Sequence, residues 1–346
     1  MSANDEDLIK LSCDLKDQPL SGKSIHDIIE SYGQDSKLLE KMNSPNAADD
    51  FHLKYISDHE DYMDVQGFKI RLCHNMQNIV HDSVYLMLPG LGGNMDQYIQ
   101  LLRLIDKCNQ SFVSIDPPDF TSDKALSNYS MYNIAKLYEE TLSRLVGTSK
   151  FKLNIVGHSL GTYISIHFYH LFNYKYNVEK LILLTPPMSD RDLPIYTRVI
   201  RSTALYAIFT WPWTFDYLRD WLKLPNGEVE PCFYNKNDDE NETLHYIKLF
   251  QFYLNLQSKL QNTVGYILGW ESVDWNAISD ILNQEGNNTT VFVIRAENDI
   301  VAHPEMSDNM FKKFMVPDDR KKVDKYQPLL SYIVSRSTRA SLPLVP

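Results

Sequence analysis

Cysteine is scarce in this chain and scattered. Cys13, Cys73, Cys108 and Cys232 form no C-x-x-C pair and no Cys/His cluster with metal-ligand spacing. A disulfide framework and a zinc module are therefore excluded as organising devices, and a reducing compartment such as the cytoplasm is expected. No apolar run reaches the ~18 residues that a membrane span requires. The opening Met-Ser-Ala-Asn-Asp-Glu-Asp lacks the apolar stretch of a secretory leader. Positive charge is in deficit, with 34 Lys and Arg against 45 Asp and Glu and a net charge of −11. That balance argues against a nucleic-acid partner. Internal repeats and low-complexity segments are missing, and nothing calls for a cofactor or a metal. One further absence bears on chemistry: no histidine follows His303.

What is present is an alternation of apolar strands and helices, interrupted once. Residues 1–60 are polar and read as a partly helical extension. Residues 61–187 and 286–323 read as an α/β core, a mostly parallel sheet with helices on both faces. Between them, 188–285 is rich in aromatics, among them Trp211, Trp213, Trp221, Tyr266, Trp270 and Trp275. It reads as a helical cap inserted before a late strand. Most of these rings must form the cap's own core. The run Ile208 to Trp213 is the best candidate for an acyl pocket or a lipid surface.

The most informative segment is Leu153 to Ser165, Leu-Asn-Ile-Val-Gly-His-Ser-Leu-Gly-Thr-Tyr-Ile-Ser. An apolar strand runs into G-x-S-x-G and straight on into a helix. So sharp a reversal forces Ser159 into a strained conformation and exposes its hydroxyl above the sheet. Gly157 and Gly161 are needed because side chains there would strike the neighbouring strand and helix. This context makes Ser159 the expected nucleophile. Earlier, Val84 to Leu88 is a strand ending in Pro-Gly-Leu-Gly-Gly. A glycine-rich loop lets backbone N–H groups approach a substrate, so the N–H groups of Leu91 and Leu160 are the candidate oxyanion donors.

The acid is expected after a late strand, Thr290 to Ile294. Asp299 is the first choice, with Glu297 and Asp190 as alternatives. The order Ser, Asp, His is the one this arrangement uses. The general base is where the pattern breaks. His303 is the one histidine after Asp299, only four residues on, so it is the possible substitute base; otherwise the triad is incomplete. The pattern His-x4-Asp, found in some acyltransferases, occurs at His59–Asp64 and again at His303–Asp308, and this makes an acyltransferase a minor alternative.

These motifs resemble the α/β-hydrolases. Pro19 to Ser24, Leu181 to Pro187 and Val264 to Trp275, the last containing Gly-Trp-Glu-Ser-Val-Asp-Trp, narrow the resemblance to the lipid droplet hydrolases of budding yeasts. It runs from about residue 19 to about 323. It implies an α/β-hydrolase fold and a serine esterase with triacylglycerol lipase activity, attached to lipid droplets. Ser159 and Asp299 match the family's nucleophile and acid positions. Two departures stand out. The family's Asp-Leu-Pro-Gly-Phe-Gly loop is Asp116-Pro-Pro-Asp-Phe-Thr121 here. The family's last strand leads to Ser-His and a final helix, whereas 324–346 is an atypical tail without histidine. A non-enzymatic lipid-droplet protein on a hydrolase scaffold is therefore the competing expectation.

Overall fold

The computed structural model describes residues 51–76, 83–118, 124–147, 150–188, 195–211, 260–295, 302–314 and 321–323. Eight strands form one sheet in the order β1-β2-β4-β3-β5-β6-β7-β8. Strands β1 (Glu60–Val65) and β2 (Phe68–His74) make an antiparallel hairpin, and β2 pairs antiparallel with β4 (Ser111–Ile115). The two-residue turn Gln66-Gly67 has φ of 52° and 81°, the left-handed pair that matches strand twist in a tight hairpin. From β4 onward every pairing is parallel: β3 (Ser83–Leu88), β5 (Lys152–His158), β6 (Asn177–Leu184), β7 (Thr290–Ile294) and β8 (Lys321–Val323).

Parallel strands need crossovers, and helices on both faces supply them. Helices α1 (Phe51–His59) and α2 (Ile99–Lys107) bury Ile56, Ile99, Leu102 and Ile105 against Met87, Phe112 and Val156. On the opposite face α3 (Met131–Val146) and α4 (Leu160–Phe172) cover Val84, Leu86, Leu88, Val113, Leu153 and Ile155. Val84, Leu86 and Leu88 thus face one core and Met87 the other, the period of two that a strand imposes. Strands β4 and the body of β5 are buried on both sides, as central strands of a sheet covered by helices are. Helix α3 starts at Ser130, whose Oγ accepts the Asn133 N–H at 3.2 Å.

Helices α5 (Ile195–Thr210), α6 (Leu260–Leu268) and α7 (Trp275–Asn283) lie between β6 and β7 in the chain. Helix α5 packs on α6. Helix α7 joins the main core through Ile278 and Leu282, and α8 (Pro304–Lys313) does so through Met310. No helix among the described residues is long and apolar enough to cross a membrane. The 1–50 extension, the 324–346 tail and the cap residues 212–259, including Trp213 and Trp221, lie outside the described residues.

Candidate active site

Sheet register puts the two motifs side by side. Leu88, the last residue of β3, pairs with Gly157 near the end of β5. The glycine loop and the Ser159 turn therefore leave adjacent strands at the carboxyl edge, where open α/β sheets bind ligands. Ser159 has φ 50° and ψ −121°. Its N–H donates to Leu184 O at the end of β6 at 2.9 Å, and its carbonyl accepts from Thr162 N at 3.0 Å and Thr162 Oγ1 at 2.6 Å. The surrounding bonds over-determine a left-handed conformation that a non-glycine residue adopts only under constraint.

The two flanking glycines are required by contact. A Cβ on Gly157 would lie 2.4 Å from Gly161 O and from Ser165 Oγ. A Cβ on Gly161 would lie 2.3 Å from Leu88 O and 2.5 Å from Pro89 O. The first turn of α4 is thus pressed onto the end of β3. Gly90 closes the arrangement, since a Cβ there would sit 3.0 Å from Ser159 Cβ and 3.1 Å from His158 O. Among the described residues, neither the Leu91 N–H nor the Leu160 N–H donates to a backbone carbonyl. Leu160 opens α4, where backbone N–H groups and the helix dipole favour negative charge.

His158 precedes the serine, and its ring borders the glycine loop at Gly90. It is 7% exposed, and its ring meets Tyr98 edge-on at 6.0 Å. Burial lowers it to about 4, so at neutral pH the ring is uncharged. His167 on α4, against the Tyr132 ring at 4.5 Å, is also lowered to about 4, mainly by burial, with nearby His170 adding to the effect. Both rings are neutral in the fold, whereas the unfolded chain binds protons at them below about 6.5. Stability is therefore expected to fall as pH drops from 6.5 to 4 and to level off below that. Each histidine contributes on the order of 3 kcal/mol over the window. Thermal midpoints measured from pH 7.5 to 4.5 check this, and His167→Leu should flatten the slope.

Strand β7 ends at Ile294, whose carbonyl accepts the Thr185 N–H at 2.7 Å. The chain therefore leaves β7 beside the end of β6, which also holds Ser159. Asp299, Glu297 and Asp190 are outside the described residues. His303 is described. It is exposed at the N-terminus of α8, where its carbonyl accepts the Met306 N–H at 2.8 Å. Its ring makes no hydrogen bond, ion pair or ring contact among the described residues. Asp308, its partner in the His-x4-Asp pattern, instead pairs with Arg295 at 2.6 Å. His59, of the other match, bonds Tyr55 O at 2.9 Å and stacks on the Tyr55 ring.

The Gly-Trp-Glu-Ser-Val-Asp-Trp stretch acts as a seam. A Cβ on Gly269 would lie 2.0 Å from Tyr129 O. Trp270 packs on Tyr163 at 4.9 Å, and a Glu271 carboxylate oxygen accepts the Tyr132 N–H at 3.1 Å at the start of α3. Asp274 caps α7 through Ala277 N at 3.1 Å, and Trp275 packs on Phe314. An open cavity of about 510 Å³ lined by Tyr132 and residues 270–274 lies along this seam. Sequence reasoning marked the stretch as distinctive without its role; the Asp-x-x-Ala spacing was the legible capping signal. It missed Thr185, which ends β6 at φ 44°.

The profile of the α/β hydrolase fold matches residues 85–328, and the chain belongs to the α/β-hydrolase family. It is 32% identical over 311 residues to lipid droplet hydrolase 1 of Saccharomyces cerevisiae, covering 82% of each chain. Solved structures share the fold at lower identity. An α/β-hydrolase enzyme from a Medee basin deep-sea metagenome library has a TM-score of 0.55 at 14% identity, with 83% of this chain and 99% of that one covered. An esterase from Exiguobacterium antarcticum has a TM-score of 0.52 at 16% identity, with 76% and 89% covered.

Proposed function

We propose that this protein is a serine hydrolase of lipid carboxylic esters that works at the lipid droplet surface. The observation that carries the reading is Ser159, held at φ 50° between two glycines that tolerate no side chain and faced by the glycine loop. Ser159 Oγ attacks the ester carbonyl carbon. The developing oxyanion takes hydrogen bonds from the Leu91 and Leu160 N–H groups. Collapse of the tetrahedral species breaks the C–O bond, releases the alcohol and leaves an acyl-enzyme. Water then attacks the acyl carbon and frees the carboxylic acid. Asp299, after β7, is the acid that orients the base; His303 is the candidate base, taking the Ser159 hydroxyl proton on attack and returning it to the departing alkoxide.

The lipid substrate follows from the yeast relative's name together with one surface. Tyr196, Val199, Ile200 and Tyr206 stand 59–70% exposed at helical spacing on α5, and Trp211 just beyond it is 54% exposed. The opposite side of α5 packs inward, with Phe209 edge-on to Tyr129. Aromatic rings with polar tips on an uncharged outer face suit a lipid–water boundary.

A second reading rests on the exposed ring of His303, which has no partner among the described residues: a catalytically impaired hydrolase that retains lipid binding. Fluorophosphonate labelling together with hydrolysis of emulsified triolein separates the two. The enzyme reading expects both, and expects both to vanish in Ser159→Ala. Labelling that survives Ser159→Ala removes Ser159 from the role.

A further inference from the structure

The loop that faces Ser159 is mostly glycine, with Leu91 its one side chain packed on the core. Gly90, Gly92 and Gly93 provide three of its four residues between Pro89 and Asn94. Gly92 sits at φ 64°, and the backbone bond within the loop runs from Gly93 N to Gly90 O at 3.0 Å. Three glycines give the loop more conformational freedom to lose and no side chains of their own to anchor it. A loop whose N–H groups must meet an oxyanion needs an external anchor, because catalytic donors act only when pre-positioned.

Such an anchor lies behind the loop. Asp116 is the first residue after β4 and is fully buried. Its Oδ1 accepts the Met95 N–H at 2.6 Å, at the start of the short 3-10 turn (Met95–Tyr98) that ends the loop. Its Oδ2 lies 3.4 Å from Arg71 Nη1, and its own N–H donates to Arg71 O at 3.0 Å. Arg71 is held in turn by Glu60, Nε to Oε1 at 3.3 Å. A buried carboxylate is tolerated only when paired and hydrogen-bonded, so its geometry is tightly set. At the far end of the turn, Tyr98 packs on the His158 ring. The loop is therefore fixed by β3 at one end and by Asp116 at the other.

We propose that Asp116 is a positioning residue, which sets the Gly90–Gly93 loop in register with Ser159 through the Met95 N–H. The proposal rests on the hydrolase reading for its kinetic consequence and on the buried hydrogen bond for its structural one. A displacement of about 1 Å can cost ~10²-fold in rate.

The test compares Asp116→Ala and Asp116→Asn in the full chain by hydrogen exchange and by p-nitrophenyl butyrate hydrolysis. Asp116→Ala is expected to speed exchange in residues 89–98 at least about tenfold, with β5 and β6 unchanged. kcat should fall about 10- to 100-fold and KM should stay within about threefold. Asp116→Asn keeps an acceptor for the Met95 N–H and should recover most of both. Met95→Pro, which removes the donor at a position proline suits, should reproduce the alanine phenotype beyond its control Met95→Ala, and it substitutes for Asp116→Ala if that variant does not fold. Unchanged loop exchange in both donor- and acceptor-deleted variants overturns the proposal. So does an equal loss in Asp116→Asn and Asp116→Ala. If wild-type protein fails to react at Ser159, the hydrolase reading fails, while exchange at 89–98 still decides whether Asp116 holds the loop.

Discussion

Gly161→Ala is expected to destabilise the protein by about 3 kcal/mol or more, at or beyond the upper end of ordinary overpacking. The added methyl group would lie 2.3 Å from Leu88 O and 2.5 Å from Pro89 O. Neither oxygen belongs to a flexible side chain. Leu88 ends a strand paired to β5, so relief requires moving the first turn of α4 away from the sheet. That shift would also displace Ser159 and the Leu160 N–H. At ~2–4 °C per kcal/mol for a domain of this size, the thermal midpoint should drop by roughly 6–12 °C. Gly286→Ala is the control. Gly286 has φ 84°, but a methyl group there would meet nothing within 4 Å, so the change carries only left-handed strain of roughly 1–2 kcal/mol. Calorimetry that ranks Gly286→Ala as the more damaging change would contradict the packing argument.

The second large effect concerns the base. The native chain is expected to hydrolyse p-nitrophenyl esters slowly. Replacing residues 324–346 with a strand, Ser-His and a helix of the family type should raise kcat by roughly 10³-fold or more, the scale on which a missing triad member acts. The imidazole must meet Ser159 Oγ with one nitrogen and the acid with the other, at about 2.6–3.2 Å each. His303 is four residues from Asp299, and its carbonyl is engaged with Met306 N at the start of α8. Its ring stands exposed, and buried Ala302 behind it limits how far the segment can swing. His158 is unsuited for a different reason: it lies buried edge-on to Tyr98, and burial lowers it to about 4, which makes it a weak base at neutral pH. Brisk turnover by the native chain, abolished by His303→Ala, would show that a single loop supplies both acid and base.

Where the sequence was legible, local sterics did the specifying. A strand, two glycines around a serine and an apolar helix leave few conformations open, and the observed φ of 50° at Ser159 is among them. The glycine loop was also legible as a loop, but its place beside Ser159 depends on β3 pairing with β5, more than sixty residues away. The Asp116–Met95 bond was not legible for the same reason. It joins residues 21 apart that meet only because β4 and β3 are neighbours. Period-two burial says which side of a strand is inside, yet it does not name the strand alongside. Thr185 gave no signal because threonine does not favour a left-handed backbone, and the bond that its N–H donates to Ile294 O depends on the distant strand β7.

The adjacency of β6 and β7 has a kinetic side. The two strands pair from Lys180–Thr290 to Leu184–Ile294, with the whole cap between them in the chain. The β1–β2 hairpin closes over two residues, whereas this pairing closes over roughly a hundred, at an added loop entropy of about 2 kcal/mol relative to a ten-residue connection. Contacts of such long range are reached late in the search for the native state. The front of the sheet, with the Ser159 turn, can therefore assemble before β7 and β8 are paired. A chain still being synthesised would carry the Ser159 turn in a partly formed sheet until the last strands arrive.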